Sequence, residues 1–240
     1  MAAARLDKLL ADSGTVTRSE AKALIRAGRV TVDGAVASRA EEKYDPAQSV
    51  ICVDGTEVSC AAHRCLMMNK PGGVLSATED ARQETVIDLL PPALRRQGLF
   101  PVGRLDKDTT GLLLLTNDGD LAHRILHPKK HVPKRYRAAV DRTLDAADAA
   151  AFAEGITLAD GTACLPARLE ILGAHLALVT VFEGKYHQVK RMFAARGKHV
   201  TALKRERIGA LSLDPALPPG GFRELSPEEI ASLFEGADDL

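Results

Sequence analysis

The apolar positions of this chain fall into short runs bounded by turn residues. Residues 112–115 are four consecutive leucines, preceded by the acid-rich turn GRLDKD and followed by Asn117, Asp118 and Gly119. A short apolar run between turn signals is typical of a strand that is buried on both faces. The pattern therefore predicts a central core strand, with the preceding turn at its mouth. LMMNK, which ends in a Pro-Gly turn, and LALVTV, from Leu176, are further predicted strands.

Other segments carry helical periodicity. Leucines on one stripe predict a helix over residues 5–13 that stops at Gly14, and Thr17 with Glu20 forms a capping box for a helix over residues 18–27. Residues 85–90 read as a short helix closed by Pro91 and Pro92. An aspartate cap predicts a helix from about residue 118 to 126 that stops at Pro128. Residues 187–196 are also helical, with Val189, Met192 and Phe193 on the apolar side.

The first sixty residues and the remainder differ in organisation. After the two N-terminal helices, Val30–Val32 reads as a strand, with Asp-Gly hairpin turns at residues 33–34 and 54–55. Small and polar residues at 59–64 then mark a boundary. We therefore predict an α+β protein with a small domain at 1–60 and a larger one at 65–240. The larger one would hold a mixed, mainly antiparallel sheet flanked by helices.

The formal net charge is zero, but the charges are unevenly distributed. Residues 1–39 hold seven Lys or Arg against four acids, residues 124–137 hold six and no acid, and residues 185–207 hold eight and one acid. An acidic tail from residue 214 cancels these patches in the total. Because local patches rather than the net charge decide contact with nucleic acid, the zero total does not exclude a nucleic-acid-binding protein.

Several classes of protein are disfavoured by the sequence. The N-terminus has no uninterrupted apolar segment typical of export, and no run is long enough to span a bilayer, so we expect a cytoplasmic protein with reduced cysteines and no membrane partner. Cys60, His63 and Cys65 lack a usual zinc spacing. His123, His127 and His131 recur every four residues, but Pro128 breaks that helix. We expect no metal, and without a phosphate-binding glycine motif we expect no cofactor.

Asp106 is the first candidate for chemistry. It lies in the turn before the central strand, where a rigid scaffold can hold a carboxylate in place. The alternative is a turn aspartate that accepts backbone N–H groups, which is a common use of Asp beside Gly and Thr. Spacing alone does not decide between the two.

The string GRLDKDTTGLLLLTNDG resembles the signature of the bacterial rRNA pseudouridine synthases, in the branch of small-subunit rRNA pseudouridine synthase A. Three other segments also resemble motifs of this family and occur along the chain in the family's order: NKPGG before the signature, and KRY and EGKYHQVKRMF after it. The segment TRSEAKALIRAGRVTVDG is similar to the core of the S4 RNA-binding domain. The resemblance implies an N-terminal S4 module joined to a synthase domain, and it covers nearly the whole chain.

The resemblance also implies roles for individual residues. Asp106 matches the essential carboxylate and Tyr136 matches a tyrosine that packs against the flipped base. Lys190 matches the basic residue that pairs with the carboxylate, with its neighbour Arg191 as the alternative. We assign the catalytic roles to Asp106, Tyr136 and Lys190. The residues expected to contact RNA are Arg18, Lys22, Arg26, Arg29, Arg104, Lys134, Arg135, His187, Gln188 and Arg191.

The function implied is the isomerisation of uridine to pseudouridine in ribosomal RNA. The N1 glycosidic bond breaks, the base turns, and C5 joins the ribose, so no redox partner or group donor is needed. Asp106 would either attack the ribose or deprotonate it. We favour 16S rRNA, free or in an assembling small subunit, as the partner of a monomer. The alternatives are a 23S rRNA uridine, or an RNA-binding assembly factor whose synthase site is idle.

Overall fold

The computed structural model describes residues 3–13, 16–46, 48–58, 63–127 and 130–235. The predicted stops at Gly14 and Pro128, as well as Cys60 and most of the predicted boundary at 59–64, lie outside these residues. The chain folds into two compact units. The first comprises Met1–Arg64 and Ile87–Leu99, and the second comprises Cys65–Val86 and Phe100–Leu240.

The first unit packs two helices against short antiparallel strands. Its elements are β1 (Ala4–Arg5), α1 (Leu6–Asp12), α2 (Arg18–Arg26), β2 (Val30–Val32), β3 (Ala35–Val36), β4 (Lys43–Tyr44), β5 (Ile51–Val53), β6 (Thr56–Glu57) and α3 (Pro92–Arg95). The sheet order is β3-β2-β5-β6, with a separate β1-β4 pair. Leu6, Leu9, Leu10 and Ile25 are almost fully buried in its core. The amphipathic pattern of both helices therefore faces the core, as predicted.

Local signals set the ends of these elements. The capping box is confirmed, since the Thr17 hydroxyl accepts from the Glu20 amide and the Glu20 carboxylate accepts from the Thr17 amide. Both Asp-Gly turns have positive φ at each residue, the geometry that suits a two-residue hairpin. The helix predicted over residues 85–90 is wrong, because residues 86–89 form a turn. Pro91 disfavours the helical region for the residue before it, and the segment is too short to nucleate a helix.

The second unit is built on a nine-stranded sheet. Its elements are β7 (Cys65–Lys70), β8 (Phe100–Pro101), β9 (Thr110–Thr116), α4 (Gly119–Leu126), β10 (Lys134–Val140), α5 (Ala146–Glu154), β11 (Arg168–Gly173), β12 (Leu176–Val181), α6 (Gln188–Ala195), β13 (Val200–Ile208), β14 (Leu211–Ser212), β15 (Phe222–Glu224) and α7 (Pro227–Ser232). The order is β11-β12-β10-β13-β9-β7-β15, with β14 beside β13 and β8 beside β9. Every pairing is antiparallel except β9 with β13. The predicted mixed, mainly antiparallel sheet is confirmed.

The central strand β9 is covered on both faces. Its four leucines have no exposed surface, and residues of α4 and α7 share one of their clusters. A second cluster packs α5 and α6 against β10, β12 and β13. Burial of about ten such aliphatic side chains, at ~1.5–3 kcal/mol each, anchors the sheet. The loop that precedes β9 is thereby attached to the most rigid part of the unit.

Gly111 permits the parallel contact between β9 and β13. Its φ is +99°, and a Cβ at this position would lie 2.2 Å from the Arg205 carbonyl oxygen. Because glycine has no Cβ, β13 can approach β9 there, in the register Lys204 opposite Thr110 and Arg205 opposite Gly111. This crossing brings β13 next to the start of β9, five residues after Asp106.

Candidate active site

Hydrogen bonds from two side chains, Ser76 and Lys70, hold the backbone of the loop that carries Asp106. The Ser76 hydroxyl donates to the Leu105 carbonyl (2.9 Å) and accepts from the Leu105 amide (3.1 Å). Lys70, at the end of β7, has no exposed surface, and its ammonium donates to the carbonyls of Lys107 (3.2 Å) and Thr109 (3.0 Å). The backbone on both sides of Asp106 is therefore held without using its carboxylate.

Burial shifts the acid–base behaviour of Lys70. Removal from water lowers its pKa to about 8, although the nearby carboxylates of Asp108 and Asp106 act in the opposite direction. The ammonium lies beneath the loop and points at carbonyl oxygens. Its contribution is positional, because it orders the turn that presents Asp106.

The Asp106 carboxylate faces two nitrogen groups of the α6 region. The Lys190 ammonium is 3.1 Å from one carboxylate oxygen, and His187 Nε2 is 3.4 Å from the other. Asp106 and Lys190 each keep about a quarter of their side-chain surface exposed (25% and 24%). A carboxylate held between an ammonium and an imidazole nitrogen, yet open to a cleft, suits a group that must meet a substrate.

Lys190 is shared between two acids. Its ammonium also lies 2.5 Å from the Asp108 carboxylate, whose side chain is 75% exposed. Partial burial would lower the pKa of Lys190, but the hydrogen bonds to Asp108 and Asp106 outweigh it and raise that pKa above its ordinary value. The same ammonium holds the pKa of Asp108 below its usual range. Lys190 is therefore a cation at neutral pH.

The start of α6 determines which basic residue faces Asp106. His187 precedes the helix with a left-handed φ of +48°, a conformation that is costly for a residue with a Cβ. Gln188 is buried; its side chain donates to Glu183 (2.8 Å) and accepts from the Lys185 amide (3.0 Å). The backbone conformation of His187 and the contacts of Gln188 therefore set the orientation of the first turn of α6, which carries Lys190.

Arg191 points elsewhere. Its guanidinium pairs with Asp160 at 2.5 Å; hydrogen bonds from Thr162, together with this contact, lower the pKa of Asp160 to about 2. Of the two alternatives considered from the sequence, Lys190 is the one in contact with Asp106.

Tyr136 forms another side of the same cleft. It is partly buried on β10, and its hydroxyl lies 3.4 Å from a guanidinium nitrogen of Arg205. Arg205 is 3% exposed and donates to the Leu112 carbonyl at 2.7 Å. Another of its nitrogens, Nη2, is buried without a hydrogen-bond partner among the described residues. Arg205 thus ties the tyrosine to the central strand and keeps one donor available.

Lys134 lines the cleft beside Tyr136. Its ammonium donates to the Val132 carbonyl at 2.9 Å. Burial, with a smaller contribution from the charge of Arg205, lowers the pKa of Lys134 to about 8. The cleft has a volume of about 510 Å³. That volume lies within the range of small-molecule sites and can accept a nucleoside.

Two family models match this chain. The model described as RNA pseudouridylate synthase matches residues 64–195, and the one described as S4 domain matches residues 4–50. The first covers more than half of the chain. The chain belongs to the RNA pseudouridylate synthase family.

Full-length relatives agree with this membership. RNA pseudouridine synthase YtzG of Bacillus subtilis is 50% identical over 96% of this chain and 98% of its own length. Ribosomal small subunit pseudouridine synthase A is 44% identical in Vibrio cholerae (96% and 100% covered) and 42% identical in Escherichia coli (95% and 99%). A crystal structure described as pseudouridylate synthase matches with a TM-score of 0.69 at 37% identity, over 96% of this chain and 99% of that one.

The synthase fold brings together most of the residues that the sequence singled out in the second unit. Asp106, Tyr136 and Lys190 meet at the cleft, as described above. The residues of the predicted RNA-contact set that line it are Arg104, Lys134, His187 and Gln188. Two members of that set lie outside it, since Arg191 pairs with Asp160 and Arg135 faces a different pocket of the synthase unit.

The basic residues of the S4 unit are partly engaged with acids. Arg18 pairs with the fully buried Asp7 at 3.1 Å, and the Lys22 ammonium is 3.9 Å from that carboxylate. Arg29 pairs with Asp54 at 2.5 Å. Arg26 is exposed on α2. These side chains still reach solvent, so the predicted basic face remains accessible.

Three residues of the synthase site were not identified from the sequence. Lys70 lies in the NKPGG segment, which reads most simply as a turn, although a lysine ending an apolar strand is a usable signal. Arg205 could have been found from the alternation in β13, which turns Leu203 and Arg205 inward. Ser76 has no signal in the sequence, because its role depends on a loop 29 residues further along the chain.

No group of three or more His, Cys, Asp or Glu among the described residues could hold a metal ion. In the same part of the chain, no helix has both the length and the apolar composition that a membrane crossing requires.

Proposed function

We propose that this chain isomerises uridine to pseudouridine in the 16S rRNA of the small ribosomal subunit, with Asp106 as the catalytic carboxylate. One observation carries the proposal. The Asp106 carboxylate stands on a fixed loop, 3.1 Å from the Lys190 ammonium, and opens into a cleft that contains Tyr136. Full-length relatives at 42–44% identity are named for the small ribosomal subunit, which supports this RNA as the substrate.

The reaction is an internal rearrangement, so the protein needs no external donor. The N1–C1′ bond of uridine breaks, the base rotates, and C5 bonds to C1′; C5 then loses its proton and N1 gains one. Asp106 acts on the ribose, either by attack at C1′ or by taking a proton from the sugar. Lys190 and His187 hold the carboxylate in place by their contacts with its two oxygens. No atom enters or leaves the nucleoside apart from these protons.

The target base must leave its stack to reach this carboxylate. Tyr136 offers an aromatic face within the cleft, fixed at its hydroxyl by Arg205. Arg104 is exposed at the rim, and Lys134 supplies a second positive charge. We assign these residues to holding the flipped nucleotide and its phosphates.

We assign RNA binding to an S4 region at residues 1–60 and the catalytic step to a synthase region at residues 65–240. The exposed arginines and lysine of α2 bind phosphates of folded RNA, which adds affinity more than sequence selectivity. All the groups of the catalytic step come from one chain, so we propose a monomer. Its substrate, ribosomal RNA or an assembling small subunit, assigns the reaction to the cytoplasm.

Tritium release from transcripts labelled at uridine C5 tests the proposal, with 16S and 23S rRNA in separate reactions. We expect release from the 16S transcript, and we expect Asp106→Asn to abolish it while RNA binding is retained. Asp108→Asn is the matched control, because it makes the same chemical change two residues away beside the same ammonium. Full activity of the Asp106→Asn variant would contradict the catalytic assignment.

The same tritium-release assay also decides which ribosomal RNA is the substrate. Release from the 23S transcript alone would replace 16S rRNA by the large-subunit RNA. If neither transcript reacts, assembling small subunits are the next substrate to test. Tight binding without release from any of them would leave only an RNA-binding function.

A further inference from the structure

Three arginines form a row across the sheet of the synthase unit. Arg168 on β11 is opposite Thr180 on β12, Thr180 is opposite Arg135 on β10, and Arg135 is opposite Arg207 on β13. Directly opposed residues of neighbouring strands point to the same face and lie about 5 Å apart at their Cβ atoms. One line of side chains therefore presents three guanidinium groups with a hydroxyl among them.

This row lies on the face of the sheet opposite the Asp106 cleft. Successive residues of a strand point to opposite faces, and the two pockets divide β10 accordingly; on β13, a register shift beside Arg135 separates Arg207 from Arg205, which lines the cleft. Lys134 and Tyr136 line the Asp106 cleft, whereas Arg135 lines a separate pocket with Arg168 and Arg207. This second pocket, which we call the arginine pocket, has a volume of about 180 Å³. It is large enough for a tetrahedral oxyanion.

The positive charges of the arginine pocket outnumber the acids that face them. Within the described residues, none of the three arginines forms an ion pair with a carboxylate. Nε of Arg135 is buried without a hydrogen-bond partner there. Arg207 Nε donates to the Gly209 carbonyl (2.7 Å), which fixes its guanidinium at the edge of the pocket. Glu170 also lines the pocket, so three cations face one acid.

Such an arrangement of like charges is unfavourable for the folded protein. Like charges that face each other directly across two strands destabilise a sheet, as Arg135 and Arg207 do here. A buried guanidinium donor without an acceptor adds to that cost. A neighbouring arginine shows the contrast, because Arg137, two residues along β10, is paired with Glu206 at 2.7 Å. On β10, Arg137 is therefore paired with a carboxylate, whereas Arg135 in the arginine pocket is paired with none among the described residues.

We propose that the arginine pocket is an anion-binding site that takes a phosphate group, separate from the catalytic cleft. Guanidinium forks match phosphate oxygens in geometry and charge, and Thr180 supplies a hydroxyl donor within the same row. The phosphate comes from an RNA backbone or from a free phosphate ion. The RNA form of the proposal rests on the function proposed above, while binding of the free ion does not.

The test combines two measurements on the full chain. The first is calorimetric titration with inorganic phosphate in a chloride buffer. The second is the salt dependence of 16S transcript binding in an Asp106→Asn background, which removes turnover. The variant is Arg135→Gln with Arg168→Gln, and the matched control is Arg137→Gln on the same strand and face. Arg207 is left intact because of its backbone contact, and thermal melting verifies that each variant is folded.

We expect saturable phosphate binding by the wild type and by Arg137→Gln, and its loss in the double variant. If RNA is the source, the double variant binds the transcript several-fold more weakly. Its slope of log affinity against log salt is then smaller by about 0.7–0.9 for each RNA phosphate that the variant no longer binds. Phosphate binding with an unchanged RNA slope assigns the pocket to the free ion.

The proposal is overturned if inorganic phosphate does not bind and the RNA slope of the double variant equals that of the control. It is equally overturned if Arg137→Gln reduces both measurements as much as the double variant does, since any surface charge would then suffice. Neither result bears on tritium release by the wild type, which separates this site from the proposed catalytic function.

Discussion

Removing the charge of Lys190 is the sharpest perturbation of the proposed active site. Lys190→Met keeps a side chain of similar length but withdraws the ammonium that lies 3.1 Å from the Asp106 carboxylate. The carboxylate then keeps only His187, at 3.4 Å, as a nitrogen partner among the contacts described above. We expect a lower rate constant for tritium release, with little change in RNA affinity.

The magnitude follows from the geometry. Two unit charges 3.1 Å apart attract by about 5 kcal/mol at an effective dielectric constant of ~20. About a quarter of each side chain is exposed (24% and 25%), so water screens the pair and we expect about 2–3 kcal/mol in the transition state. That energy corresponds to a fall of about 30- to 150-fold in kcat/KM.

The assay is single-turnover tritium release, which isolates the chemical step from product release. Lys190→Arg restores the charge and should recover most of the lost rate. Asp108→Asn removes the second acid beside the ammonium; because Asp108 is 75% exposed, we expect an effect of about fivefold or less. Wild-type rates in Lys190→Met would refute the reasoning, as would equal impairment of Lys190→Arg and Lys190→Met, since shape rather than charge would then be responsible.

Three further expectations concern stability and pH. Gly111→Ala should lower the free energy of unfolding by about 3 kcal/mol or more in urea titrations, because the added Cβ would collide with the Arg205 carbonyl. The control is Gly161→Ala, which has a similar positive φ but open space around it and should cost only about 1 kcal/mol. RNA affinity should fall as pH rises through about 8, where Lys134 loses its proton, and Lys134→Gln should reduce this dependence in filter binding. Burial opposes ionisation of Asp7, but its arginine partners lower its pKa from 3.8 to about 2. The ionised carboxylate therefore stabilises the fold above pH ~4, and this contribution is lost as the pH falls toward 2. Asp7→Asn should lower the free energy of unfolding by about 1–3 kcal/mol at neutral pH and should reduce the dependence of the melting temperature on pH in the acid range.

The elements that the sequence specifies well are those set by local rules. The capping box of Thr17 and the Asp-Gly hairpin turns depend on residues at most three positions apart, and they form as predicted. The four leucines of β9 also specify their own environment, because such a run can only be accommodated where both faces are covered. Local chemistry determines these features before any tertiary contact does.

What could not be predicted depends on pairing between distant segments. The contact between Asp106 and Lys190 joins positions 84 residues apart, and only the resemblance to a family indicated it. The distribution of the β10 side chains between the two faces of the sheet also depends on pairing between distant segments. Arg135 and Lys134 are equivalent in a sequence reading, but the strand directs one to the arginine pocket and the other to the Asp106 cleft.

The position of Lys190 between two acids explains how Asp106 can be both held and available. The ammonium is closer to Asp108 (2.5 Å) than to Asp106 (3.1 Å). In the proposed mechanism Asp106 acts on the ribose from this position, and an ammonium with Asp106 as its single partner would be left uncompensated in a partly buried site if that contact weakened. Asp108 removes that penalty because it continues to pair with the cation. Lys70 and Ser76 meanwhile fix the backbone of the loop that carries Asp106. In the proposed mechanism the exposed acid Asp108 therefore keeps the ammonium paired while Asp106 acts on the nucleoside.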